Sequence, residues 1–467
     1  MRPFEILIPL LLAIYLLWPL ITRKPHRLFV NSLPILAFVA VLLHLLIEKY
    51  RWQMVPLYAL TTIILVISRL PVARRQPGVW SYFLAALGLI VTMLAASVPA
   101  ILPIPRISEL SGEYEVGTTS FMLVDESRRE LYSGKDEPRR IMVQIWYPAI
   151  RGDSVRAPWM QDAKIVARAI SDYFDFSDYF LDHLELARSP AYLDAAPEPG
   201  GGPYPAVVFS HGWNGFRAQN SYQMMELASH GYVTVAIDHT YGNVITVFPG
   251  GQVVYNNPSA LPEGAPADEY TAAARLLGEQ WSSDIAFVLD TLAANPPSGP
   301  ARPVTDFVNF EQVGILGHST GGGAAIQFCG TDLRCKAVFP MDAYMRPVSE
   351  SVLENGLAQP ALFMFSQEWA DDVDSRNNQR FHAFYSQVTQ PSPVITILGA
   401  AHYDFSDIPA LSPLGYQLGL KGPINGRRVQ QILVEYTIAF FDLYLKGKPT
   451  SLFEGPSAVY PELRWDN

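Results

Sequence analysis

Four long apolar runs open the chain, about residues 4–22, 28–47, 52–68 and 79–102, and the short connectors between them carry the basic residues. Each run is near the ~20 residues a helix needs to cross a bilayer, the third being the shortest. Four such runs in succession predict a bundle of membrane-spanning helices rather than core helices of a water-soluble domain. Trp18, Tyr50, Trp52, Trp80 and Tyr82 stand near the ends of the runs, where aromatic rings favour the membrane–water interface. No small-x-small cleavage pattern follows Ile21, and basic residues come at once, so a removed secretion signal is not expected. The first and third connectors carry Arg23, Lys24, Arg27, Arg69, Arg74 and Arg75. The opposite side has Arg2, Lys49, Arg51 and Arg106. Basic loops stay in the cytoplasm, so this bias predicts that both the N-terminus and everything after the fourth span lie outside it.

Past Pro99, Pro103 and Pro105 the pattern changes to short apolar runs alternating with amphipathic ones. Strands are expected at Glu113–Val116, Thr119–Val124 and Arg140–Tyr147, and residues 159–188 look helical. After the break Pro199–Pro205 come strand Ala206–Ser210, helix Ala218–His230, strand Tyr232–Ile237 and a long helix over 270–294. Further buried strands are expected at Val313–Leu316, Ala337–Met341, Ala361–Ser366 and Val394–Leu398, then a last helix Arg428–Leu445. Ile245–Val254, with Gly250 and Gly251 in its middle, reads as an inserted hairpin. Short uninterrupted apolar strands alternating with helices predict a mostly parallel sheet covered on both faces, an α/β domain over 107–467 behind the membrane region 1–106.

Charge narrows the function. Residues 1–106 hold ten basic and two acidic residues, leaving 24 basic and 42 acidic, net −18, for the rest. That surface disfavours nucleic acid and simple docking onto anionic lipid. Cys329 and Cys335 are close enough in sequence to pair in an oxidising compartment, or to remain two reduced thiols. Neither has the spacing of a zinc site.

Candidate chemistry sits at Gly317-His-Ser-Thr-Gly321, directly after the run Val313–Leu316. Gly-x-Ser-x-Gly between a strand and a helix is the nucleophile elbow, which nominates the Ser319 hydroxyl. The bare pattern arises by chance in roughly one in ten chains of this length, so its setting and partners matter. An alcohol needs a base, and the base an acidic partner, in the chain order Ser, acid, His. Two histidines follow Ser319. His382 lies in a helical stretch, whereas His402 follows a strand at its carboxyl end, where sites in open α/β sheets form. Asp342 ends the strand 337–341 and suits the acid, with Glu368, Asp371 and Asp372 as rivals by spacing alone. An oxyanion hole needs two backbone N–H groups. Thr320 follows the nucleophile, and Trp213 follows the strand–His211-Gly212 segment. His211, His239 and His318 read as histidines satisfied within the core.

Phe209-Ser-His-Gly-Trp-Asn-Gly-Phe-Arg217, Gly317-His-Ser-Thr-Gly-Gly322, Met341-Asp-Ala-Tyr-Met345 and His402-Tyr-Asp-Phe-Ser-Asp407 together resemble the platelet-activating factor acetylhydrolases of the plasma and intracellular type II kind. The resemblance runs from about Gly112 to the C-terminus and takes in Ile145-Trp-Tyr-Pro148 and Ala228-Ser-His-Gly-Tyr232. It implies an α/β-hydrolase fold, with Ser319 as nucleophile, Asp342 as acid, His402 as base and Trp213 and Thr320 as oxyanion donors. It implies a serine ester hydrolase of the calcium-independent phospholipase A2 type, without metal or organic cofactor, acting on short or oxidised acyl esters of small or phospholipid substrates. Its usual members lack a four-span bundle. A general carboxylesterase or polyester hydrolase and a non-catalytic membrane sensor are the competing expectations. The aromatic run 173–180 is a candidate lipid-facing wall, or else a solvated or core-packing helix.

Overall fold

In a computed structural model, residues 1–71 and 76–466 are described. Arg74 and Arg75 of the third connector lie outside the described residues. The chain divides into two compact units, Met1–Pro105 with Leu411–Leu414, and Arg106–Ala410 with Gly415–Asn467.

In the first unit the helices are Pro3–Thr22, Leu28–Leu43 extended by a turn His44–Glu48, Val55–Arg69 preceded by a turn Trp52–Met54, and Val79–Ile101. All four, with those turns, are long and apolar enough to cross a membrane. Glu5 and Glu48 meet Arg2 and Arg51 at one end of these helices, and Arg69 stands at the other. Arg51 is 2.9 Å from Glu5 and donates to the carbonyls of Leu102 and Pro99. Buried charges survive only when paired in this way.

The second unit is built on a twelve-stranded sheet. Its centre is parallel: Val233–Asp238, Tyr204–Ser210, Val308–His318, Cys335–Met341, Phe363–Ser366 and Val394–Ile397 lie side by side in that order. Antiparallel strands flank it, with Pro138–Ile150 and Glu115–Arg129 beyond one edge and Leu463–Trp465 at the other. Val207, Val208, Ile315, Leu316, Val338 and Phe339 are wholly buried, because helices cover both faces. The helices Ser221–Ser229 and Gly426–Lys446 pack on one face, and Ala267–Ala294 and Thr320–Thr331 on the other.

Parallel strands and long helices stand where the apolar pattern places them, with small shifts at their ends. The stretch 159–188 does not. Only Ala163–Tyr173 is an α-helix, followed by a short turn Asp182–Leu186 and a strand Arg188–Leu193. The helix stops because the chain turns at Asp175, whose φ of 56° is left-handed, and the aromatic residues then pack irregularly. Glu115–Val116 and Thr119–Val124 belong instead to one long strand, Glu115–Arg129, and Glu113 and Tyr114 precede it. The hairpin forms as Ile245–Val247 against Val253–Tyr255. Cys329 and Cys335 are joined in a disulfide between the helix after the elbow and the strand that ends at Met341.

Candidate active site

Ser319 sits where the strand Val308–His318 turns into the helix Thr320–Thr331. Its φ of 55° and ψ of −120° are strained for a residue with a side chain. The surroundings hold that strain in place. The Ser319 N–H donates to Met341 O at 2.9 Å, and its carbonyl accepts from Tyr344 and Gly323. The helix can start so close to the sheet only because two positions lack a side chain. A Cβ on Gly321 would lie 2.1 Å from the Ser210 carbonyl oxygen, and one on Gly317 2.3 Å from that of Gly321. Ser319 remains only half-buried, between a buried strand end and a buried helix start.

Asp342 and His402 meet across two neighbouring loops. His402 Nδ1 lies 2.9 Å from Asp342 Oδ2. The acceptor carboxylate places the proton on Nδ1 and leaves Nε2 free to act as a base. Asp342 is fully buried and accepts two further bonds, from the Ser366 N–H and the Ser366 hydroxyl, each 2.7 Å. Trp369 stacks on the His402 ring at 4.4 Å and 5°. Burial disfavours charge on either partner, raising the Asp342 carboxyl and lowering the His402 imidazole to about 4. The ring keeps 18% of its surface exposed, enough to face a substrate. Among the rival acids, Glu368 accepts the His402 backbone N–H and Asp371 pairs with Arg464, while Asp372 is exposed and its backbone carbonyl accepts from Asn378 and Ser375. His382 is exposed on the helix Arg376–Tyr385. No hydrogen bond joins the Ser319 hydroxyl to His402 among the described residues. Such bonds commonly tighten only when substrate is bound.

The loop after Ser210 approaches the elbow from the next strand. A Cβ on Gly212 would stand 3.2 Å from the Ser319 Cβ. His211 fixes this loop. Its Nδ1 lies 2.7 Å from Gly212 O, and its Nε2 accepts the His239 backbone N–H at 3.1 Å. The Gly212–Trp213 peptide is trans, so the Trp213 N–H points away from the carbonyl that His211 holds. Neither the Trp213 nor the Thr320 backbone N–H has an acceptor among the described residues. Two free N–H groups at an elbow are what a developing oxyanion needs.

Beneath this loop lies a buried polar chain that sequence reasoning did not find. Ser210 Oγ is 2.9 Å from His239 Nε2, and His239 Nδ1 is 2.9 Å from Asp284 Oδ2. Trp281 stacks on His239 at 4.3 Å. Burial works to raise Asp284, but Arg139 and His239 hold it well below the usual carboxylate range. Burial also lowers His239 and His211, which favours their neutral forms. The three groups repeat a serine–histidine–aspartate order, yet all are fully buried and serve as a foundation.

His318, Asp342 and His402 bring three potential metal-ligand atoms within 4.8 Å of one another. Those atoms already serve each other and their neighbours: His318 bonds Gln219 and the His402 carbonyl, and Asp342 bonds His402 and Ser366. This donor set is organised for hydrogen bonding and does not fit a resident ion. A cavity of about 520 Å³ opens beside His402, with Glu368, Tyr403, Tyr416 and Lys421 in its wall. Phe174 meets Tyr403 edge-on at 6.4 Å, and Phe176 packs on Phe180 at 4.5 Å, so the aromatic run reaches the residue next to His402.

The model of the family "Platelet-activating factor acetylhydrolase, isoform II" matches residues 102–248 and 302–450. The chain belongs to this family. Its relatives include the platelet-activating factor acetylhydrolase of Cavia porcellus, 24% identical over 402 residues, covering 80% of this chain and 84% of the relative. A probable 1-alkyl-2-acetylglycerophosphocholine esterase of Arthroderma benhamiae is 26% identical over 412 residues, covering 80% of this chain and 96% of the relative. In three dimensions a ferulic acid esterase from Streptomyces cinnamoneus superposes with a TM-score of 0.66 at 24% identity, over 78% of this chain and 100% of that one. That likeness establishes the α/β-hydrolase fold of the larger unit. As a member of the acetylhydrolase family the chain is an esterase, and both family-matched segments include site loops: Trp213 in the first, Ser319, Asp342 and His402 in the second.

Proposed function

We propose that this family member is a membrane-anchored serine esterase that releases short or oxidised acyl groups from phospholipid-like esters. The observation that carries the mechanism is the 2.9 Å contact between His402 and Asp342 beside a half-buried elbow serine. His402 Nε2 takes the proton from Ser319 Oγ as the oxygen attacks the ester carbonyl carbon. The Trp213 and Thr320 N–H groups receive the oxyanion. His402 then gives its proton to the departing alcohol, and the acyl group stays on Ser319. Water, deprotonated by the same Nε2, attacks the acyl carbon and frees the acid, returning the proton to Ser319. Asp342 keeps Nδ1 protonated throughout and stabilises the transient imidazolium.

Several features support a lipid ester. One relative above is named a platelet-activating factor acetylhydrolase and another a probable 1-alkyl-2-acetylglycerophosphocholine esterase. The four apolar helices hold the chain at a bilayer, where such esters concentrate. The aromatic run 173–180 stands beside Tyr403 and offers apolar contact to a lipid. The Cys329–Cys335 disulfide and the connector charges both favour an extracytoplasmic catalytic domain. The test is hydrolysis by the full chain in liposomes of two phosphatidylcholines that differ only at the second position, acetyl against palmitoyl. The acetyl ester is expected to turn over at least about tenfold faster. Equal rates, or cleavage of p-nitrophenyl esters with neither phospholipid touched, would remove the lipid assignment.

A further inference from the structure

Gln219 and His318 lie between the three loops of the candidate site, and both are buried. The Gln219 carboxamide works in two directions. Its Oε1 accepts the Gly212 N–H at 3.3 Å, on the loop that presents Trp213. Its Nε2 lies 2.9 Å from His318 Nδ1. The amide nitrogen is a donor, so His318 Nδ1 must be the acceptor and Nε2 must carry the proton. That Nε2–H meets the carbonyl oxygen of His402 at 3.1 Å. The imidazole is held neutral: burial lowers His318 to about 3, and the charged or titratable groups that face it are His402, Asp342 and His211. One unbroken line of hydrogen bonds therefore runs from the oxyanion loop, through the elbow residue next to the nucleophile, to the backbone of the base.

We infer that Gln219 and His318 form a single brace that sets the spacing of the Trp213 loop, Ser319 and His402, and that both are positioning residues for catalysis. The inference rests on the reading of Ser319 and His402 as nucleophile and base. Neither brace residue needs to touch substrate. Each acts through the atoms it holds: Gly212 N–H at one end, His402 carbonyl at the other. The His318 ring also lies 4.5 Å from the His402 ring, which limits how far the base can swing. The base loop has other attachments, from Asn220 Nδ2 to Phe405 O and from the Asp407 N–H to Gln219 O. Loss of the brace should therefore shift the loop without releasing it, and the fold should persist.

Gln219→Glu tests this with no change of volume. A carboxylate has no proton for His318 Nδ1 and instead draws the ring's single proton to that nitrogen. Nε2 is then left without one opposite the His402 carbonyl, and the line breaks at its His402 end while packing is kept. His318→Phe breaks it by removing both ring nitrogens. Each single variant of the full chain is expected to lose kcat by about 10²-fold, with KM for a soluble ester within about threefold, because misplacement by an ångström is enough for such a loss. The double variant is expected to be no slower than the worse single one, since one line can be broken only once. Unchanged kcat in Gln219→Glu, or losses that multiply in the double variant, would overturn the brace. Should His318→Phe fail to fold, Gln219→Glu alone decides. Ser319→Ala run alongside separates the two claims: an active Ser319→Ala removes the assigned mechanism, whereas an inactive one beside an unimpaired Gln219→Glu removes only the brace.

Discussion

Asp342 touches His402 through one carboxylate oxygen, and Ser366 holds that same carboxylate with both its N–H and its hydroxyl. The proposed acid is thus aimed by the neighbouring strand end before it aims the proposed base. Asp342 itself has a left-handed φ of 42°, a second strained position beside that of Ser319.

Replacing Asp342 by Asn should keep the shape and lose the chemistry. An amide can turn its NH2 toward Nδ1 and force the proton onto Nε2, the wrong nitrogen for a base. We expect kcat to fall by about 10³–10⁴-fold. Ser366→Ala, which removes one of the two Ser366 bonds, should cost much less. Steady-state kinetics on a soluble ester check both, and near-wild-type activity in Asp342→Asn would contradict this role.

The pH dependence follows from burial. In the proposed mechanism catalysis needs His402 unprotonated, so activity rises with pH through that residue's pKa. Burial lowers that pKa below the ordinary 6.5, toward about 4. The acid limb of kcat/KM should therefore have its midpoint below pH 6.5, as one titration belonging to the His402–Asp342 pair. A profile of kcat/KM from pH 4 to 8 measures it, and a midpoint at or above 6.5 would speak against this environment.

Arg139 should matter for stability more than for chemistry. It is almost wholly buried, 2.7 Å from Asp284 and 2.6 Å from Glu130, and also donates to Thr240 O. Arg139→Met leaves two carboxylates short of a partner in the interior, a loss of about 3–5 kcal/mol. Chemical denaturation of the full chain in detergent should show it. A shift of under 1 kcal/mol would mean that Arg128, also bonded to Asp284 at 2.9 Å, suffices alone.

The disulfide closes a short loop, six residues apart in sequence. Loops of this size stabilise by about 2 kcal/mol through the unfolded chain. Cys329→Ser/Cys335→Ser should lower the unfolding free energy by about that amount and leave kcat within twofold. The wild-type chain taken from cells should resist maleimide until it is reduced; ready alkylation without reductant would contradict the pairing.

The parallel strands are legible in the sequence because strands buried on both faces are unbroken apolar runs, as in Val313–Leu316 and Ala337–Met341. Short edge strands such as Arg188–Leu193 and Leu463–Trp465 are not, because they carry too few residues to show a period. Ser319 is conspicuous because the elbow is a local requirement: glycines where the backbone must approach within contact. Asp342 stands open among four acids by spacing alone, and only a family likeness singles it out at that stage. Ser366, Gln219 and the Ser210–His239–Asp284 chain are invisible. Their contacts with Asp342, His318 and one another span 24 to 99 residues, and no local pattern records a hydrogen bond made over such a distance. The run 173–180 misleads for a related reason, since aromatic residues that pack on distant Tyr403 imitate a helix face.

The central claim is that the Ser319 hydroxyl is the nucleophile. Full-length protein in native membranes, treated with a fluorophosphonate probe, should be labelled in the wild type and not in Ser319→Ala, with ester hydrolysis lost in parallel by at least about 10³-fold. Equal labelling and hydrolysis by Ser319→Ala would contradict it.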